Sequence, residues 1–134
     1  MDIIIPPKKK KPSPFSWYEK VVFEKYAKFS GRASRREYWW FTLFNVIVYC
    51  ITIFLDIKIQ NNLDDYMFYL TAIYFILIFI PMLALQIRRL HDIGCSGWFE
   101  LIIFIPSIGS LILLIMHCLP SKSGNNKYGT QPDY

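Results

Sequence analysis

The feature that most constrains this chain is a run of 22 residues without a single charged side chain, from about Tyr66 to Ile87. A helix rises about 1.5 Å per residue, so such a run reaches across a hydrocarbon core of about 30 Å. A second apolar run, from about Tyr38 to Ile57, has the same reach. Asn45 is the one strongly polar residue in its interior, ahead of Asp56 at its end, and a hydrogen bond to a neighbouring helix is the role expected for it. A third run, from about Trp98 to Leu119, is interrupted by Pro106-Ser107-Ile108-Gly109-Ser110. The expected fold class is an all-α membrane protein, with three transmembrane helices preceded by an amphipathic interfacial helix. Pro81 is expected to kink the second span, because proline removes one backbone bond of the ladder. Composition agrees: 54% of residues are hydrophobic and only 19% charged, against about a quarter charged in soluble domains.

The organisation reads as four parts. Residues 1–14 form a basic arm expected to be disordered, with four prolines and the run Lys8–Lys11. Such a lysine run fits nucleic acid or anionic lipid. Beside apolar spans the lipid reading is favoured, each lysine adding about 1 kcal/mol near the surface. Residues 15–33 hold an amphipathic helix and linker. Phe15, Tyr18, Val22, Tyr26 and Phe29 step by three or four and share one face. That face would lie on the headgroup plane or pack on the end of the bundle. Residues 34–119 carry the three spans, and residues 120–134 form a polar tail.

Ser34-Arg35-Arg36-Glu37 fits a capping box ahead of the first span. Tyr38, Trp39 and Trp40 would follow at interfacial depth. Gly94 is expected to end the second helix, and Ser96 to cap the third segment with Glu100 in its first turn.

Charge sets the expected orientation. Residues 1–37 hold ten Lys/Arg against Asp2, Glu19, Glu24 and Glu37, whereas the other 97 residues hold five Lys/Arg against six acids. The positive-inside rule places the N-terminus and Arg88–Arg89 in the cytoplasm, and the loop 56–65 outside. Three full spans would put the C-terminus outside. A chain turned back at Pro106–Ser110 would instead make a re-entrant hairpin with a cytoplasmic C-terminus. No cleavable signal peptide is expected, because the first long apolar run starts behind a charged stretch. Cys50, Cys95 and Cys118 have no paired spacing, so no disulfide framework is expected.

The segment Gly31-Arg32-Ala33-Ser34-Arg35-Arg36-Glu37-Tyr38-Trp39 is followed by Arg88-Arg89-Leu90-His91-Asp92, then Gly94 and Ser96-Gly97-Trp98. With Gly124, Asn126, Tyr128, Gly129 and Pro132 of the tail, these motifs resemble the YhaH-like family of small bacterial inner-membrane proteins, over roughly residues 15–134. That family is catalogued as a domain of unknown function. The resemblance implies a small polytopic inner-membrane protein and no particular reaction.

The sharpest candidate site is a cationic face made of Arg32, Arg35, Arg36, Arg88 and Arg89, with His91 and Asp92. Guanidinium forks suit phosphate, so anionic lipid headgroups or a protein partner would dock there. The competing reading makes the arginines topology determinants, with Glu37 and Asp92 as ion-pair partners. Adjacent helical residues point about 100° apart, so His91-Asp92 makes no ready catalytic dyad. A metal site from His91, Cys95, His117 and Cys118 would require the hairpin, and none is expected. No phosphate loop, dinucleotide fingerprint or zincin helix is present. The expectation is a non-enzymatic membrane protein with no cofactor and no nucleic-acid partner, in the lipid bilayer, alone or as a homo-oligomer. An oligomeric small transporter or channel, with Asn45, Ser107 and Ser110 along its path, is the alternative. A lipid-modifying enzyme using the Arg-rich loop and His91 is the third reading.

Overall fold

Lipid tails are as apolar as leucine, so helices in a membrane are held by close packing and hydrogen bonds rather than by hydrophobic burial. The computed structural model describes residues 12–60 and 68–132 and follows that logic. These residues are helical, apart from turns and one isolated two-residue bridge between Asn126 and Gly129. The basic run Lys8–Lys11 and most of the loop after the first span lie outside the described residues.

Helix α1, Pro14–Glu19, starts with Ser13 accepting from the Ser16 amide at 3.3 Å and proline in its first turn. It widens into one π-helical turn, Lys20–Glu24. The expected apolar face is rotated by one residue. Trp17 and Val21 are the buried residues, Tyr18 and Val22 flank them, and Phe15 is 56% exposed. The helix packs along the bundle. The Tyr18 ring stacks on Phe41 at 5.5 Å, Phe15 meets Phe44 edge-on at 5.9 Å, and the Tyr26 hydroxyl donates to the Leu77 carbonyl at 2.6 Å.

Helices α2, Arg35–Gln60, and α3, Tyr69–Asp92, are each long and apolar enough to cross a membrane. They pack as antiparallel neighbours and turn residues such as Ile47, Phe54, Ile73 and Ile76 outward. So wide an apolar surface has to be covered by lipid or protein. Polar clasps join the helices. Asn45 donates to the Phe41 carbonyl and accepts from the Tyr74 hydroxyl, which also meets the Tyr18 hydroxyl at 3.2 Å. The loop expected from residue 56 starts later, because α2 continues to Gln60. Asp56 therefore sits on α2 and accepts from the Leu70 and Thr71 amides at 3.0 and 2.9 Å, capping α3 from its neighbour. Pro81 is buried inside α3, which runs through it as one helix.

The third apolar run is not one spanning helix. It is a 3-10 helix, Gly97–Phe104, a turn, and helix α4, Ile108–Cys118. The two arms lie against each other, and an added Cβ on Gly109 would come 1.9 Å from the Ile102 carbonyl oxygen. The turn is a tight γ-turn: the Ile108 amide donates to the Pro106 carbonyl at 2.7 Å, and Ser107 adopts φ +66°. The arms are about 8 and 11 residues long, and both outer ends return to the Arg88 end of α3. Gly97 packs on Ile87 and His91, and the His117 carbonyl accepts from Arg89. The polar tail then folds over the same end, with the Lys122 amide on the Asp92 carbonyl at 3.1 Å and the Asn126 side chain on the His91 carbonyl at 2.9 Å.

Candidate functional site

Three polar segments converge at the Arg88 end of the bundle. Gly31–Glu37 opens α2, Arg88–Asp92 closes α3, and residues 121–129 of the tail cross above both. Ser34 accepts from the Glu37 amide at 3.1 Å, which is half of the expected capping box. The other half is absent: the Glu37 carboxylate turns inward, accepting from Arg88 at 2.6 Å and Lys25 at 3.3 Å. Burial pushes the Lys25 ammonium below the ordinary lysine range, and the Glu37 charge opposes that shift.

Asp92 is the second hub. It is fully buried and takes Arg32 at 2.9 Å, Arg89 and the Ser121 hydroxyl. Arg32 also donates to the carbonyls of Gly124 and Lys122, and Arg89 to those of His117 and Leu119. Backbone carbonyls of the tail and of α4 thus complete the coordination of two buried guanidiniums. Arg88 keeps two buried N–H positions, Nε and Nη2, without a hydrogen-bond partner.

The expected cationic face is therefore divided. Arg32, Arg88, Arg89 and Asp92 are buried. His91 is half-buried, its ring stacked on Tyr128 at 3.8 Å and its Nδ1 3.2 Å from the Gly31 carbonyl. Arg35 and Arg36 alone of the five arginines are exposed. They share a shallow groove of about 470 Å³ with Trp39, Trp40 and Cys118.

A feature that spacing did not reveal lies between α3 and the hairpin. A cavity of about 1040 Å³ is walled by Phe79, Leu83, Trp98, Phe104 and Leu114, with Glu100 and His117 among its lining residues. Glu100 was legible only as an acid in a first turn. Its burial depends on the fold-back of the hairpin. The same fold-back brings His117 to the Arg88 end, where its ring stacks on Tyr38 at 4.5 Å. His91 also lines this cavity, yet among the described residues no three His, Cys, Asp or Glu side chains are grouped to hold a metal ion. Ser110 borders the cavity, whereas Asn45 is committed to Phe41 and Tyr74 in the bundle.

Comparison with known proteins agrees with this architecture of apolar helices. The family signature described as "Protein of unknown function (DUF805)" matches residues 26–130. The chain is 44% identical over 118 residues to the inner membrane protein YhaI of Escherichia coli K12, covering 88% of this chain and 96% of that protein. It is 41% identical over 116 residues to the inner membrane protein YhaH of the same strain, covering 87% and 95%. No solved structure matches. The motifs at Gly31–Trp39, at Arg88–Trp98 and near Gly124–Gly129 all fall in the matched region, and the chain belongs to the DUF805 family of membrane proteins.

Proposed function

We propose that the chain is a multi-pass inner-membrane protein that binds anionic lipid headgroups at the Arg35–Arg36 groove, without enzymatic activity. Its two long helices would cross the bilayer with the N-terminus and the Arg88 end in the cytoplasm, and the hairpin would re-enter from that side. The observation that carries the reading is the contrast among the arginines. The buried ones are paired with Glu37 and Asp92, while Arg35 and Arg36 stand exposed beside Trp39 and Trp40 with no ion pair among the described residues. Guanidinium forks match phosphate oxygens, and tryptophan rings favour headgroup depth. A non-enzymatic role is supported by His91, whose ring is covered by Tyr128 and held at Gly31.

The test is retention of phosphatidylglycerol by the purified full-length chain, read by native mass spectrometry. Changing Arg35→Gln and Arg36→Gln together removes about 2 kcal/mol of attraction, roughly a thirtyfold loss of affinity. Unchanged retention by the double variant would end the headgroup reading.

A further inference from the structure

The cavity between α3 and the hairpin contains polar atoms that nothing around them satisfies. Glu100 is 9% exposed, and its Oε2 makes no hydrogen bond. No salt bridge reaches it among the described residues. Arg89 is occupied by Asp92 and two carbonyls, and Arg88 is paired with Glu37, its remaining N–H groups making no bond to Glu100. His117 is 2% exposed. Its Nδ1 lies 2.6 Å from the Leu113 carbonyl, which only accepts, so Nδ1 carries the hydrogen. The Gln86 carbonyl also lies against the ring, and Nε2 makes no well-formed hydrogen bond. The Glu100 carboxyl is thus left without a partner in the cavity wall.

An ionisable group inside a membrane domain is expensive unless a partner compensates it. The surroundings restrict what that partner is. A hard metal cation needs about six oxygen ligands and zinc about four N, S or O ligands, whereas these walls are mainly apolar and no three His, Cys, Asp or Glu side chains group there among the described residues. An anion would oppose ionisation of the Glu100 carboxyl, whereas a cation favours it. A cation that carries its own apolar surface meets both demands, because carboxylate and aromatic faces attract it together. Trp98 and Phe104 border the cavity and are 78% and 79% exposed, so they mark its mouth on the apolar outer surface. The volume of about 1040 Å³ suffices for a ligand of drug-like size.

We propose that this cavity binds a lipophilic organic cation, with the Glu100 carboxylate as its counter-ion. The site is separate from the Arg35–Arg36 groove, and either reading can fail without the other.

The experiment uses the full-length chain in lipid nanodiscs and radiolabelled tetraphenylphosphonium as the probe. Saturable binding above that of empty nanodiscs is expected. Glu100→Gln keeps the shape and removes the charge, and should weaken binding about tenfold or more. Ser110→Trp fills the cavity from α4 and should abolish binding with the acid still present. Ile47→Ala, on the outward face of α2 and outside both sites, should leave it unchanged. Uncharged triphenylphosphine oxide should not compete. Absence of saturable binding, equal affinity in Glu100→Gln or Ser110→Trp, or equal competition by the neutral analogue would overturn the proposal.

Discussion

Asp92 shows how much one buried side chain organises. It faces two buried guanidiniums, Arg32 and Arg89, and the Ser121 hydroxyl, while its carbonyl receives the tail at Lys122. Removing one partner of a buried ion pair costs about 3–5 kcal/mol, because the remaining charge stays buried without compensation. Asp92→Asn should therefore lower the thermal unfolding midpoint of the detergent-solubilised protein sharply. Arg36→Gln, on the exposed side of the same motif, should stay within about 0.5 kcal/mol of the parent. A calorimetric scan of the two variants separates these outcomes. The sequence displayed all of these charges and even the acids opposite them. It could not display which arginines turn inward, since Arg35 and Arg36 adjoin Glu37 just as Arg88 and Arg89 precede Asp92. Burial here is decided by carbonyls from Gly124, Lys122 and Leu119, some thirty to ninety residues away in the chain.

At the level of elements, the two long helices were legible, and the third segment was legible only as a choice between a full span and a hairpin broken at Pro106–Ser110. Hydropathy measures how apolar a run is, and it responds equally to a crossing helix and to two arms folded together. The available signal was local: a proline, a serine and a glycine in the middle of the run. Gly109 is where the arms touch most closely. A methyl group there would come 1.9 Å from the Ile102 carbonyl oxygen, so backbone would have to move. Gly109→Ala should destabilise the protein by about 1–3 kcal/mol, the range for forcing extra volume into a packed site. Ser107 tests the turn in the other direction. Its φ of +66° is strained for any residue with a Cβ, so Ser107→Gly should be neutral or stabilising by about 1 kcal/mol. Chemical denaturation of the two variants should give shifts of opposite sign. Equal losses would mean that neither glycine freedom nor the close approach governs the hairpin. The amphipathic helix teaches a related lesson. Its periodicity was legible, and Phe15, Tyr18 and Tyr26 of the expected face do meet the bundle, but Trp17 and Val21 beside them are the residues most deeply buried.

For the whole molecule, the hairpin changes how the ends relate. An uninterrupted third helix would carry the tail to the Asp56 end of the bundle. The fold-back instead places residues 121–129 over Arg32, His91 and Asp92, so the chain's three polar motifs form one cluster. Such a cluster cannot assemble with a bilayer between its parts, because Arg32 bonds to Asp92 and to Gly124 at once. On the proposed topology, which rests on the Lys/Arg excess of the first 37 residues, that shared side would be cytoplasmic. A topology reporter fused after Tyr134 should accordingly register as cytoplasmic, and one inserted at Asn61 as external. A paired fusion of alkaline phosphatase and a fluorescent protein at both positions measures this directly. An external signal after Tyr134 would require the tail to leave Arg32 and the hairpin to open into a third span. Glu100 and His117 would then part, and the cavity they share would no longer exist.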